Sequence, residues 1–181
     1  TAYATKLRYG AFQERYDATI GVDYSARTIC IHNKAMVKCQ LWDTAGQENF
    51  APLIKTYYKD IAGVLLVYDV NCRYSFDRLS FWINELNNHG PIDYPISKML
   101  IGNKIDLNSR KVSQEEAENF AINNGFMYKE VSVKQSINVD ESLTELVENA
   151  YKYKELNKGF KDSDLKYLDL KSKSESNKDR E

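Results

Sequence analysis

The chain has 181 residues, 43% of them hydrophobic, and a formal net charge of −1. That is enough for one cored domain plus a tail, and the charge gives no long-range field for nucleic acid or anionic lipid. Cys30, Cys39 and Cys72 are odd in number and show no Cys-x-x-Cys spacing. They argue against a disulfide or zinc framework and read as reduced thiols of a cytosolic protein. No run of about 20 apolar residues is available to span a membrane, the first residues do not read as a secretory leader, and no internal repeat is visible.

In chain order, residues 1–9 read as the end of a helix stopped by Gly10. Residues 11–23 are irregular. Residues 25–32 and 35–42 alternate as two strands around an Asn33-Lys34 turn, which is an antiparallel hairpin. Residues 62–70 are apolar almost throughout and predict a parallel strand buried on both faces. Residues 98–103 and 128–132 are shorter strands. Phe76, Leu79, Trp82, Ile83 and Leu86 lie on one face of a helix starting near Ser75. Ser113-Gln114-Glu115-Glu116 is a capping box for a helix closed by Asn124-Gly125. Asp140 is placed to cap a last helix carrying Leu143, Leu146, Val147, Ala150 and Tyr151. Strands alternating with helices predict an α/β, doubly wound fold, whose ligands bind beyond the carboxyl ends of the strands. From Asn157 the composition turns to Lys, Asp, Ser and Glu with nearly balanced charge, which reads as a flexible tail and not a polybasic anchor.

Two strings fall at those strand ends. Asn103-Lys104-Ile105-Asp106 follows a strand. One ionised carboxylate, Asp106, can accept from both N1–H and N2–H of guanine, a donor pair adenine lacks. Asn103 can bond the base edge and tie neighbouring loops, and the stem of Lys104 can lie over the base plane with its ammonium near ribose or phosphate. Trp42-Asp43-Thr44-Ala45-Gly46-Gln47-Glu48 follows the second hairpin strand. Asp43 suits the water shell of magnesium, Gly46 lets backbone approach a terminal phosphate, and Gln47 can orient an attacking water. Thr19, in the irregular stretch, offers a hydroxyl to a metal and an N–H to a γ-phosphate. Ser132, Val133 and Lys134 can present backbone N–H groups to the guanine O6.

These strings resemble a small GTPase of the Ras superfamily, and within it a Rab. The resemblance rests on Thr19-Ile20-Gly21-Val22-Asp23-Tyr24, the Trp42–Glu48 string, Tyr57-Tyr58-Lys59, Gly102-Asn103-Lys104-Ile105-Asp106 and Ser132-Val133-Lys134. It runs from residue 1 to about 155. It implies a P-loop NTPase-like fold, a mostly parallel sheet with one antiparallel hairpin strand, over residues 1–156, with a hypervariable tail at 157–181. It implies GTP and GDP as ligands with Mg2+. Thr19 resembles the switch I metal ligand, Phe12 the aromatic packed edge-on against guanine, and Tyr16 the switch tyrosine that closes over the phosphates. Gln47 resembles the catalytic glutamine. Ile20, Tyr24, Trp42 and Tyr57 resemble the surface through which Rabs show effectors their nucleotide state. Exchange factors, GTPase-activating proteins, effectors and a GDP-dissociation inhibitor are the implied partners, nucleic acid is not, and the protein is expected to be monomeric. The implied location is cytoplasmic, on the cytosolic face of membranes when lipidated, in vesicle trafficking and protein transport.

The chain departs from that pattern in places. Tyr24 stands where Phe is commoner, and Val133 where Ala is usual in Ser-Ala-Lys. No C-terminal cysteine is present to carry a prenyl anchor. The glycine-rich loop Gly-x-x-x-x-Gly-Lys-Ser/Thr is absent. Thr1 lies eighteen residues before Thr19, the spacing of the hydroxyl residue that ends that loop, so the resemblance makes Thr1 a metal-binding hydroxyl. The expectation is a domain truncated at its N-terminus. The missing first strand would lie mid-sheet, between the hairpin and the strand at 62–70, and a parent would carry roughly 15–25 further residues.

Two functions fit. One is a GTP-hydrolysing switch. The other is a pseudo-GTPase, an interaction module that keeps the Rab surface without nucleotide. The absent loop favours the second, and Asp43, Gln47 and Asp106 together favour the first.

Overall fold

Buried apolar residues pointing to both sides of one strand set the architecture. The computed structural model describes residues 1–14, 17–31 and 35–156. Tyr16, the Asn33-Lys34 turn and the tail from residue 157 lie outside the described residues.

The strands are β1 (Val22–Ile31), β2 (Ala35–Thr44), β3 (Gly63–Asp69), β4 (Ser97–Asn103) and β5 (Met127–Glu130). The helices are α1 (Ala2–Tyr9), α2 (Ala51–Ile54), α3 (Arg73–Asp77), α4 (Leu79–His89), α5 (Gln114–Asn123) and α6 (Val139–Leu156). β4 lies between β3 and β5, parallel to both, with Leu66 opposite Leu100 and Met99 opposite Met127. Successive side chains of a strand face opposite ways. Met99 and Ile101 therefore join one core with α1, α6 and the hairpin, while Leu100 joins a second core with α3, α4 and α5. Helices on both faces of a parallel sheet make the fold α/β and doubly wound, as the sequence predicts. Each such fully buried aliphatic side chain contributes about 1.5–3 kcal/mol by leaving water.

β1 and β2 form the predicted antiparallel hairpin, with Tyr24 opposite Trp42. Ile29, Ile31 and Val37 point into the first core. β1 already begins at Val22, so Val22 and Asp23 belong to the strand and not to the irregular stretch. All three cysteines are free, and burial pushes the Cys39 thiol up to about 11. α1 buries Tyr3 and Leu7 and ends at Gly10, whose φ of 70° is the left-handed closure that glycine permits. The Tyr3 hydroxyl donates to the Val139 carbonyl at 3.0 Å and lies 2.7 Å from Ser142 Oγ, which fastens α1 to α6.

No ladder joins β2 to β3 among the described residues, so the hairpin and the parallel strands stand as two sheets. β3 packs into both cores, through Leu65 on one face and Tyr68 on the other, while Val67 is 44% exposed. Two expectations are corrected. The helix near Ser75 is two helices parted at Arg78, whose ψ of −12° flattens the turn. Asp140 lies inside the first turn of α6, not at its cap, and its carboxylate is engaged by Arg27. The capping box holds as read: Glu116 N–H donates to Ser113 Oγ at 3.1 Å. A helical stretch over Glu48–Phe50, α2 and Lys55–Tyr58 has no counterpart in the sequence reading. Its segments run three or four residues each, too short to show a period.

Candidate functional site

The C-terminal ends of β4 and β5 carry the loops that would read a base. Asn103 is the last residue of β4 and is buried. Its Oδ1 accepts from Lys104 N at 2.7 Å and from Val133 N at 3.2 Å, tying the two loops together. The Ser132 hydroxyl is fully buried and donates to Asp106 Oδ1 at 2.6 Å. It also accepts from Gln135 N at 3.0 Å. Asp106 Oδ2 is thus left to meet another donor, and the side chain is aimed before any ligand arrives. Val133 is buried and its N–H already serves Asn103, so a ligand carbonyl would share that donor. Lys134 follows it on the exposed side.

Lys104 sits at φ 67°, a left-handed conformation that costs a residue with a Cβ about 1–2 kcal/mol. Its ammonium does not wait for a phosphate: it lies 2.8 Å from Asp69 Oδ2. Burial raises the Asp69 carboxyl, but hydrogen bonds from Lys104 and Asn71 outweigh it, and the net shift is below the ordinary carboxylate value. Asn71 Nδ2 donates to the Lys104 carbonyl at 2.9 Å and to Asp69 Oδ1 at 3.1 Å. The sequence reading missed both residues. The available signal was their place, polar groups at and just past the end of an apolar strand.

A second cluster gathers at the start of α1 and the end of β2. The hydroxyls of Thr1 and Thr19 are hydrogen bonded to each other. Thr19 Oγ1 also donates to Asp43 Oδ2 at 3.3 Å. Two hydroxyls and a carboxylate far apart in sequence therefore meet as hard oxygen donors. Hydroxyl, carboxylate and water are what magnesium takes. Among the described residues no group of three or more His, Cys, Asp or Glu is gathered to hold a metal ion.

Beyond Asp43 the chain turns outward. Ala45 is buried, with its N–H on the Gly21 carbonyl at 2.9 Å, but Gly46 and Gln47 are exposed. A Cβ added at Gly46 would meet nothing within 4 Å, and its φ is not in the left-handed region. Neither packing nor strain calls for glycine there, whereas a ligand lying against the backbone would. Tyr24, Trp42 and Tyr57 form one aromatic row, with ring centroids 4.8 Å and 5.4 Å apart. Trp42 is 48% exposed and Ile20 87% exposed. Phe12 is half-buried and packs against the first core.

The structure thus brings Asn103, Lys104, Asp106, Ser132 and Val133 together at one end, and Thr1, Thr19 and Asp43 together at the other. It sets Gly46 and Gln47 on the open turn after Asp43 and Ile20, Tyr24, Trp42 and Tyr57 on the surface, while Phe12 lies against the core. Paired polar loops at the ends of β4 and β5, a hydroxyl–carboxylate cluster and an open glycine turn are what a nucleotide switch would need. The model of the Ras family matches residues 1–152, and the chain belongs to the Ras family of small GTPases.

Proposed function

We propose that this chain is a Rab-type switch that binds GTP, hydrolyses it to GDP and acts in vesicle trafficking. The observation that carries the reading is the aromatic row Tyr24–Trp42–Tyr57, with Tyr57 half-buried and with Tyr24 and Trp42 exposed on the hairpin that the chain enters after Thr19 and leaves before Gly46. Large exposed aromatics in one patch mark an interaction surface, and this one adjoins the segments a γ-phosphate would order.

Asp106 and Ser132 read the guanine edge, Asn103 locks their loops, and the Lys104 stem supports the base plane. Magnesium, when bound, neutralises charge on the phosphate oxygens; the Thr1 and Thr19 hydroxyls and Asp43, the last through water, would hold it. The Gly46 N–H meets the γ-phosphate, and Gln47 orients water for in-line attack. A bond forms from water oxygen to phosphorus, the bond from phosphorus to the bridging oxygen breaks, and GDP and inorganic phosphate leave. Gln47 is a poor base, so intrinsic turnover is slow, and an activating protein that supplies an arginine speeds it. Exchange factors and a GDP-dissociation inhibitor complete the cycle.

Full-length protein, denatured after purification, should release GDP or GTP at close to one per chain. The Gln47→Leu form loaded with GTP should retain effectors that the GDP form does not. Folded protein that releases no guanine nucleotide would establish the pseudo-GTPase instead.

A further inference from the structure

Every polar group of Lys104 is held by neighbours. Its N–H donates to Asn103 Oδ1 at 2.7 Å, and its carbonyl accepts from Asn71 Nδ2 at 2.9 Å and from Leu107 N at 3.2 Å. Its ammonium rests on Asp69 at 2.8 Å. Asn71 is fixed in turn: its own N–H donates to Asp69 Oδ1 at 2.9 Å, and Ser109 Oγ donates to its Oδ1 at 3.1 Å. The last residue of β3 and the loop after it therefore grip both ends of a residue that belongs to the loop after β4.

A turn that only had to be stable would take glycine at φ 67°. Here a lysine is kept in that conformation, and its side chain stays 53% exposed although its tip is tied down. The result is a four-carbon stem with both ends anchored and its flank open. We infer that Asp69 and Asn71 are positioning residues that set the Lys104 stem as a preformed shelf for the purine plane. The inference rests on the guanine-nucleotide reading above. A side chain immobilised before binding need not be immobilised during it, which slows ligand escape.

The test uses full-length protein and a fluorescent GDP analogue. Asn71→Ala and Asp69→Asn should each speed release roughly three- to tenfold, the cost of one unfrozen side chain. Single-turnover hydrolysis of bound GTP should be unchanged, because neither residue touches the γ-phosphate. Lys104→Met keeps an unbranched stem without the ammonium, and in that background Asp69→Asn should add nothing further. Unchanged release in both single variants would overturn the inference, as would a full-sized Asp69→Asn effect in Lys104→Met. Should Asn71→Ala fail to fold, the Asp69→Asn and Lys104→Met combination decides alone. Folded wild-type protein that retains no guanine nucleotide would instead bring down the underlying reading, and this inference with it.

Discussion

The two ends of the site are built differently. The end proposed to read the base stands on the carboxyl ends of β4 and β5, and its polar groups are already bonded to one another: Asn103 to the Val133 N–H, Ser132 to Asp106, Asn71 to the Lys104 carbonyl. The end proposed to meet the phosphates stands on exposed turns, with Gly46 and Gln47 in solvent and Ile20 almost fully exposed. A rigid reader gains from preorganisation, since nothing must be ordered when the base arrives. A switch needs the reverse, segments whose order depends on the ligand, because only differential contact shifts a conformational equilibrium. The contrast predicts that changes at the base end act on affinity in every nucleotide state, and changes at the phosphate end act on the response to one phosphate.

The largest effect is expected at Asp106. Asp106→Ala removes the acceptor for two guanine N–H groups, each such charged hydrogen bond being worth about 1.5–3 kcal/mol. GDP and GTP should both bind about 10²–10⁴-fold more weakly in equilibrium titration. A variant that weakened GTP alone would break the division between the two ends. Gln47→Leu comes next. A misplaced attacking water costs roughly 10²-fold in turnover, so single-turnover hydrolysis should fall by that order while GDP affinity is unaltered.

Much of this division was legible in the sequence because the base end depends on short strings after buried strands. The apolar run at 98–103 and the short strand read at 128–132 located β4 and β5, and Asn103, Asp106 and Ser132 lie at or just past their ends. What the strings could not show is which atoms pair. That the Lys104 ammonium goes to Asp69, and that Asn71 grips the Lys104 carbonyl, depends on β3 lying beside β4 in register, Asp69 opposite Asn103. The meeting of Thr1, Thr19 and Asp43 was indicated by family resemblance, not by local pattern, since a lone loop threonine carries no signal. The helical stretch at 48–58 and the break at Arg78 were illegible because each is decided within one turn.

Gly46→Ala sharpens the comparison by separating ligand from fold. The added methyl has open space around it, so thermal stability should stay within about 0.5 kcal/mol of wild type. Contact with a γ-phosphate would now be overpacked, at about 1–3 kcal/mol, and the preference for GTP over GDP should drop roughly tenfold or more. Equal losses for both nucleotides would mean that the turn after Asp43 senses something other than the terminal phosphate.

The smallest effect concerns the ion pair that stiffens the base end. The Asp69 carboxyl sits below its ordinary value in the folded protein, through Lys104 and Asn71 and against the opposing pull of burial. Its contribution to stability is therefore fully present above the unfolded carboxyl's pKa, about 4, and is lost as pH falls through the folded value. Urea midpoints measured from pH 7 downward should show Asp69→Asn less stable than wild type at neutral pH, by no more than about 1 kcal/mol for so exposed a pair. The two curves should draw together as the medium becomes more acid than pH 4. A gap that persisted unchanged into acid would mean that Asp69 holds Lys104 by hydrogen-bond geometry alone, and the stiffness of the base end would then owe nothing to charge.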